Sequence, residues 1–162
     1  MPDLVIRPAV QDDIEVLWDF LAMAAYEPDA EAAQAAPPVA KYLVGWQRPG
    51  DFGCIAEQHG AIIGAAWARR FSADELRVPY WDQEEPKVSI SVKPSARGQG
   101  VGGKLMRALI GEAARRGLGL CLTVRSENPA RRLYERLGFR DIPGSAVTNR
   151  VGGVSIGMAL RR

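Results

Sequence analysis

At 162 residues, with 47% apolar content, the chain has the length of one domain and enough hydrophobic sequence for a core. A net charge of +2 is too small to argue for nucleic acid or an anionic membrane surface, and no apolar run is long enough to span a bilayer. One histidine, His59, and two well-separated cysteines, Cys54 and Cys121, leave no zinc constellation, so no metal is expected.

In chain order, Leu4 to Pro8 is a short strand stopped by its proline. The stretch before it, Met1-Pro2-Asp3-Leu4, lacks a charged-then-apolar signal pattern, which with the two cysteines as buried free thiols predicts a cytoplasmic protein. Asp12 and Asp13 open a helix whose apolar face is Ile14, Leu17, Trp18 and Leu21. Glu27-Pro28-Asp29 breaks it, and Asp29 to Ala36 starts a second helix that Pro37-Pro38 interrupts. Lys41 to Trp46 is expected to resume helically. Asp51 to Glu57 and Ala61 to Phe71 form an antiparallel hairpin about Gln58-His59-Gly60, with Ile63, Ala65, Trp67 and Arg69 in alternation. Ser72 to Pro86 is a long connection carrying Tyr80, Trp81 and several acids, among them Glu84 and Glu85; such a loop is either functional or a solvated link.

Val88, Ile90 and Val92 alternate with serines as in a half-buried strand. Val101, Leu105, Leu109, Ile110 and Ala113 then repeat at helical spacing up to Arg115-Arg116-Gly117, a helix stop. Leu118 to Val124 is a nearly continuous apolar strand, buried on both faces and joined to the Val88 strand by a parallel crossover. Asn128 caps the next helix, with Pro129 at its first position and Leu133, Tyr134 and Leu137 facing inward. Phe139 to Ile142, Val147 to Val151 and Val154 to Leu160 supply the last strands. The sum is an α/β domain spanning residues 1–162, with a mixed sheet of six or seven strands and helices on both faces.

The stretch from Arg97 to Lys104, Arg-Gly-Gln-Gly-Val-Gly-Gly-Lys, links strand to helix and favours anions. The first amides of a helix have no partner within it, the helix dipole is positive there, and glycines admit a bulky ligand to the backbone. Three patterns overlap. A dinucleotide fingerprint needs glycines directly after the strand and an acid about 20 residues on; here Lys93 to Arg97 intervene and the next strand ends in Arg125. A nucleotide P-loop needs Ser or Thr after the lysine; Leu105 stands there. The third, Arg97-x-x-Gly100-x-Gly102, fits without exception. A glycine-rich turn without a ligand is the bland alternative.

With Val88-x-Ile-x-Val-x-Pro94 before it, and Asn128-Pro-Ala-Arg-Arg-Leu-Tyr-Glu-Arg-Leu-Gly-Phe139 after it, this third pattern resembles the GCN5-related N-acetyltransferases (GNAT). The resemblance implies a mostly antiparallel sheet with a splayed central parallel pair and acetyl-CoA as co-substrate. It further implies that Ile90, Ser91 and Val92 offer backbone groups to the pantetheine arm, the Val92 N–H polarising the thioester carbonyl. Arg97, Gly98, Gln99, Gly100, Val101, Gly102 and Gly103 would form the pyrophosphate loop. Asn128 would contact the arm, and Tyr134 would protonate the leaving thiolate; a phenol, with a pKa of about 10, carries that proton at neutral pH. Many members have six residues between the asparagine and the tyrosine. Here there are five, Pro129 to Leu133. One residue turns a helical position by about 100°, so a cap role for Asn128 and a contact role for Glu127 stand as alternatives. Glu85 is the nearest match to the family's general base, beside Glu84, with a water held by Ser89 or Ser91 as the other route. The expected partners are acetyl-CoA and an amine acceptor, and a homodimer through the C-terminal strands is an arrangement found in relatives. A non-catalytic acyl-CoA-binding regulatory or interaction module is the competing reading.

Overall fold

Alternating apolar residues place Leu4–Pro8 (β1), Phe52–Gln58 (β2) and Ala61–Arg69 (β3) in strands, with β2 antiparallel to both β1 and β3. In the computed structural model, which describes residues 3–72, 75, 85–149 and 152–161, five more strands follow: Lys87–Val92 (β4), Leu120–Arg125 (β5), Arg140–Asp141 (β6), Val147–Thr148 (β7) and Val154–Leu160 (β8). The hydrogen-bonded order is β1-β2-β3-β4-β5-β8-β6, with β7 also on β8. The β1–β2, β2–β3, β5–β8, β6–β8 and β7–β8 ladders are antiparallel, and the β4–β5 pair is parallel. Among the described residues the sheet has eight strands, against the six or seven expected, with the two-residue β6 and β7 each pairing with β8. The chain divides into two compact units, Met1–Arg69 with Ser89–Leu109, and Arg70–Val88 with Ile110–Arg162. Among the described residues, no helix is long and apolar enough to cross a membrane.

In the first unit, β2 and β3 are joined by two residues, His59 and Gly60, at φ 53° and 77°. Two positive φ values are what a tight hairpin turn needs to match the twist of its strands. Gln11–Asp13 forms a short 3-10 turn leading into Ile14–Ala24 (α1). Arg7 grips that turn, its Nη1 and Nη2 each donating to Asp13 at 2.9 Å while Nε donates to Glu57. The bonded guanidinium holds the Asp13 carboxyl below the usual aspartate range. Leu17, Phe20 and Leu21 of α1 pack with Ile55, Ala65 and Trp67 of the strands as the core of this unit.

Asp29 caps Ala30–Ala35 (α2) through the Ala32 amide. Pro37-Pro38 interrupts the helix as expected, α2 ending at Ala35 with Ala36 extended, and the same prolines start Pro37–Ala40 (α3), where they lose no bond because first-turn amides have no partner. Lys41 to Trp46, expected to be helical, is a run of turns. Its carbonyls are taken from outside: Arg69 Nη1 donates to Lys41 O and Val44 O, and Trp67 Nε1 donates to Tyr42 O. Arg69 is itself 1% exposed and paired with Asp51, 2.7 Å from Nη2 to Oδ2 and 3.1 Å from Nε to Oδ1. Cys54 is buried in β2, and burial pushes its thiol up to about 12, too high for thiolate chemistry near neutral pH. Both cysteines are free and buried, as the apolar runs around them predict.

In the second unit, β5 pairs with β8 over six positions, from Leu120↔Leu160 to Arg125↔Ser155. Leu120, Cys121 and Leu122 are buried in succession, so both faces of β5 are covered; Thr123 is the exposed exception. Where β6 and β7 leave a gap along β8, the buried Ser145 hydroxyl accepts from the Gly157 amide and donates to Ile142 O. Most of the acidic, aromatic connection from Ser72 to Pro86 lies outside the described residues, as does the end of the expected Val147 to Val151 strand.

Candidate active site

The glycine turn and the end of β4 lie together in the first unit. Lys93 N donates to Ile63 O, which ties the end of β4 to β3. Pro94–Ala96 makes a single 3-10 turn, and Arg97 then leaves in an extended conformation. Its Nε donates to Val92 O at 3.0 Å, bridging the loop and the strand end. Gly98 and Gly100 sit at φ 78° and 81°, where an L side chain is strained. A Cβ at either would meet nothing within 4 Å, so glycine is required here by backbone conformation, and the space above it is open.

Gly100 O accepts from Lys104 N, which closes the first turn of Val101–Arg115 (α4). The amides of Val101, Gly102 and Gly103 therefore begin the helix and have no carbonyl to meet inside it. α4 buries Val101, Leu105, Met106, Leu109 and Ala113, close to the expected stripe, with Ile110 half-buried. It ends with Gly117 at φ 73°, Gly117 N donating to Ala114 O and Leu118 N to Ala113 O. A 15-residue helix thus directs its positive end at an open turn whose rim carries the exposed Arg97 and Lys104. That arrangement fits an anion such as a pyrophosphate.

Ile90 and Val92 are half-buried on β4 and Ser91 is 8% exposed. Close packing here depends on Gly64 of β3, which sequence reasoning did not single out. A Cβ on Gly64 would stand 3.0 Å from Leu105 Cδ1 and 3.3 Å from Ser91 O. The available signal is a lone glycine in an otherwise apolar strand, a mark of close approach.

Asn128, Tyr134 and Glu85 belong to the second unit. Asn128 Oδ1 accepts from Ala130 N at 2.9 Å, and Pro129 already has helical dihedrals. Asn128 is thus the N-cap of the helix whose regular span is Ala130–Arg136 (α5), as its sequence predicts. Tyr134 is buried on α5, its ring tilted against Phe139 with centroids 6.0 Å apart. Glu85 precedes β4 and is 5% exposed, its Oε1 3.4 Å from Arg161 Nη1. The parallel ladder has one register pair, Lys87↔Cys121, beside a bond from Cys121 N to Pro86 O.

The family model for the acetyltransferase (GNAT) domain matches residues 49–141, more than half of the chain. No curated relative matches. Among solved structures, the chain is similar to yncA from Salmonella typhimurium, solved with its cofactor acetyl-CoA, at 24% identity and TM-score 0.74, covering 98% of this chain and 94% of that one. It is similar to the ribosomal-protein-alanine N-acetyltransferase of Brucella melitensis at 23% identity and TM-score 0.73, with 98% and 99% covered. It is also similar to a phosphinothricin acetyltransferase from Sinorhizobium meliloti in complex with acetyl-CoA, at 22% identity and TM-score 0.71, with 97% and 87% covered. At these identities the likeness is one of fold.

Proposed function

Because the chain belongs to the GNAT acetyltransferase family, we propose that it moves an acetyl group from acetyl-CoA to a primary amine by direct attack in a ternary complex. The observation that carries this reading is the open, positively poled turn at Gly98 and Gly100, one strand end away from Val92. The loop from Arg97 to Gly103 takes the pyrophosphate, and Arg97 and Lys104 add charge at its rim. Ile90, Ser91 and Val92 present strand backbone to the pantetheine arm.

In the transfer, the amine nitrogen bonds to the carbonyl carbon and the carbon–sulfur bond breaks. The Val92 N–H donates to the carbonyl oxygen, where negative charge grows, an oxyanion-type contribution. Tyr134 returns a proton to the thiolate sulfur. An ordinary alkylammonium has a pKa near 10.4, so it gives up one proton before attack; the nitrogen gives up a second as the amide forms, which balances the one delivered to sulfur. A reducing, cytoplasmic setting suits the two buried free thiols.

One observation favours a non-catalytic acyl-CoA-binding module instead: Tyr134 is packed against Phe139 as a core aromatic would be. The Tyr134→Phe variant separates the two. With an amine panel, wild-type protein is expected to release free thiol from acetyl-CoA, and the variant to lose about 10²-fold in kcat while keeping its affinity for acetyl-CoA. Wild-type binding without turnover on any amine would favour the module. No affinity for acetyl-CoA would remove both.

A further inference from the structure

The proton that leaves the amine needs an acceptor, and Glu85 is the carboxylate that the family resemblance offers. Its surroundings point elsewhere. A general base must come within about 2.6–3.2 Å of the atom it deprotonates, directly or through one water. Glu85 is 5% exposed, ion-paired through Oε1 and closely walled at Oε2. Oε1 lies 3.4 Å from Arg161 Nη1, and Oε2 lies 3.2 Å from where a Cβ on Gly119 would be. The backbone around it is equally occupied: Glu85 O and Pro86 O both lie within reach of the Cys121 thiol, and Pro86 O also accepts from Cys121 N.

The same atoms suit another task. Gly119 immediately precedes β5, Arg161 follows β8, and Glu85 stands two residues before β4. A Cβ on Gly119 would collide with Leu160 O and approach Arg161 Cα to 3.2 Å, so the strand ends meet there with no room to spare. Immediately above the junction lies the register pair of the parallel ladder, Lys87↔Cys121. A buried carboxylate at such a crossing must be paired, and the half-exposed guanidinium from the end of β8 supplies the charge.

We infer that Glu85 is a positioning residue that with Arg161 clasps the end of β8 onto the junction where β4 and β5 begin, and that it is not the acceptor of the amine proton. The inference rests on the acetyltransferase reading only for the second half; the clasp stands without it. Unfolding of wild type, E85Q, R161Q and the double variant tests the clasp, and kcat/KM against pH with acetyl-CoA and a reactive amine tests the proton role. Either single change is expected to lower Tm by roughly 3–10 °C, with the double variant little lower than the worse single. E85Q is expected to keep kcat within about threefold, far from the 10²-fold or more that removing a base costs, and to keep the shape of the pH profile. A 10²-fold loss of kcat in E85Q at unchanged Tm would overturn the inference, as would Tm losses that simply add. Should E85Q not fold, R161Q reads the same question: an unmoved pH profile with lowered Tm supports the clasp, and a moved profile overturns it. If wild type consumes no acetyl-CoA, the acetyltransferase reading fails and the Tm coupling still decides the clasp.

Discussion

Two irregular segments of the first unit, Lys41 to Trp46 and Arg97 to Gly103, are shaped by opposite means. The first is held from a distance. Arg69, Trp67 and Gln11 reach its carbonyls from β3 and from the turn before α1. The second is shaped from within, by Gly98 and Gly100 at positive φ and by the start of α4. Its side-chain tie to the strand is Arg97 on Val92 O. A segment fixed by long-range polar groups concentrates its cost in the core. A segment fixed by its own dihedrals can leave its amides free for a ligand.

The sharpest way to break this contrast is Asp51→Ala. Arg69 would keep its charge at 1% exposure without its carboxylate. Removing one partner of a buried pair costs about 3–5 kcal/mol, and urea unfolding should show a loss of that size. Acetyl-CoA affinity of the remaining folded protein should change little. A loss under about 1 kcal/mol would mean that the pair contributes no more than a surface ion pair.

Gly100→Ala should do the reverse. At φ 81° an alanine costs about 1–2 kcal/mol of stability. The kinked turn should lose at least about tenfold in acetyl-CoA affinity, which isothermal titration would measure. Equal losses of stability from Gly100→Ala and Asp51→Ala would erase the distinction between the segments.

The smallest effect concerns Asp13. The hydrogen bonds from Arg7, and then the Val10 amide, lower its pKa in the folded state. Its contribution is therefore fully present above the unfolded aspartate value of about 3.9 and is lost as pH falls through the lower folded value. An Asp13→Asn variant should be about 1 kcal/mol less stable than wild type near pH 6, with the gap closing below pH 4. Thermal melts across that range would check it; a gap that widens in acid would contradict the assigned direction.

The glycine turn, its helix and the capped helix at Asn128 were legible because their signals are local: positive-φ glycines, a 3.6-residue apolar stripe, and an Asn-Pro start. The hairpin at His59-Gly60 was legible for the same reason, although its turn is one residue shorter than expected. Lys41 to Trp46 was misread because its conformation answers to Arg69 and Trp67, more than 20 residues away. The alternation of Arg69 with Trp67 put both on one strand face, yet did not say that a guanidinium would be buried there. The role of Glu85 was hidden in a similar way. Its neighbours Gly119 and Arg161 are distant in sequence, and only the folded chain shows them meeting.

What the sequence determined by itself is the glycine turn and the helix it opens, since φ preference and helix polarity are properties of a short stretch wherever it is placed. What only the tertiary structure decided is where buried charge is answered, at Asp51–Arg69 and Glu85–Arg161. A desolvated ion must find its counterion in space, and nothing in a linear pattern says which distant residue will arrive.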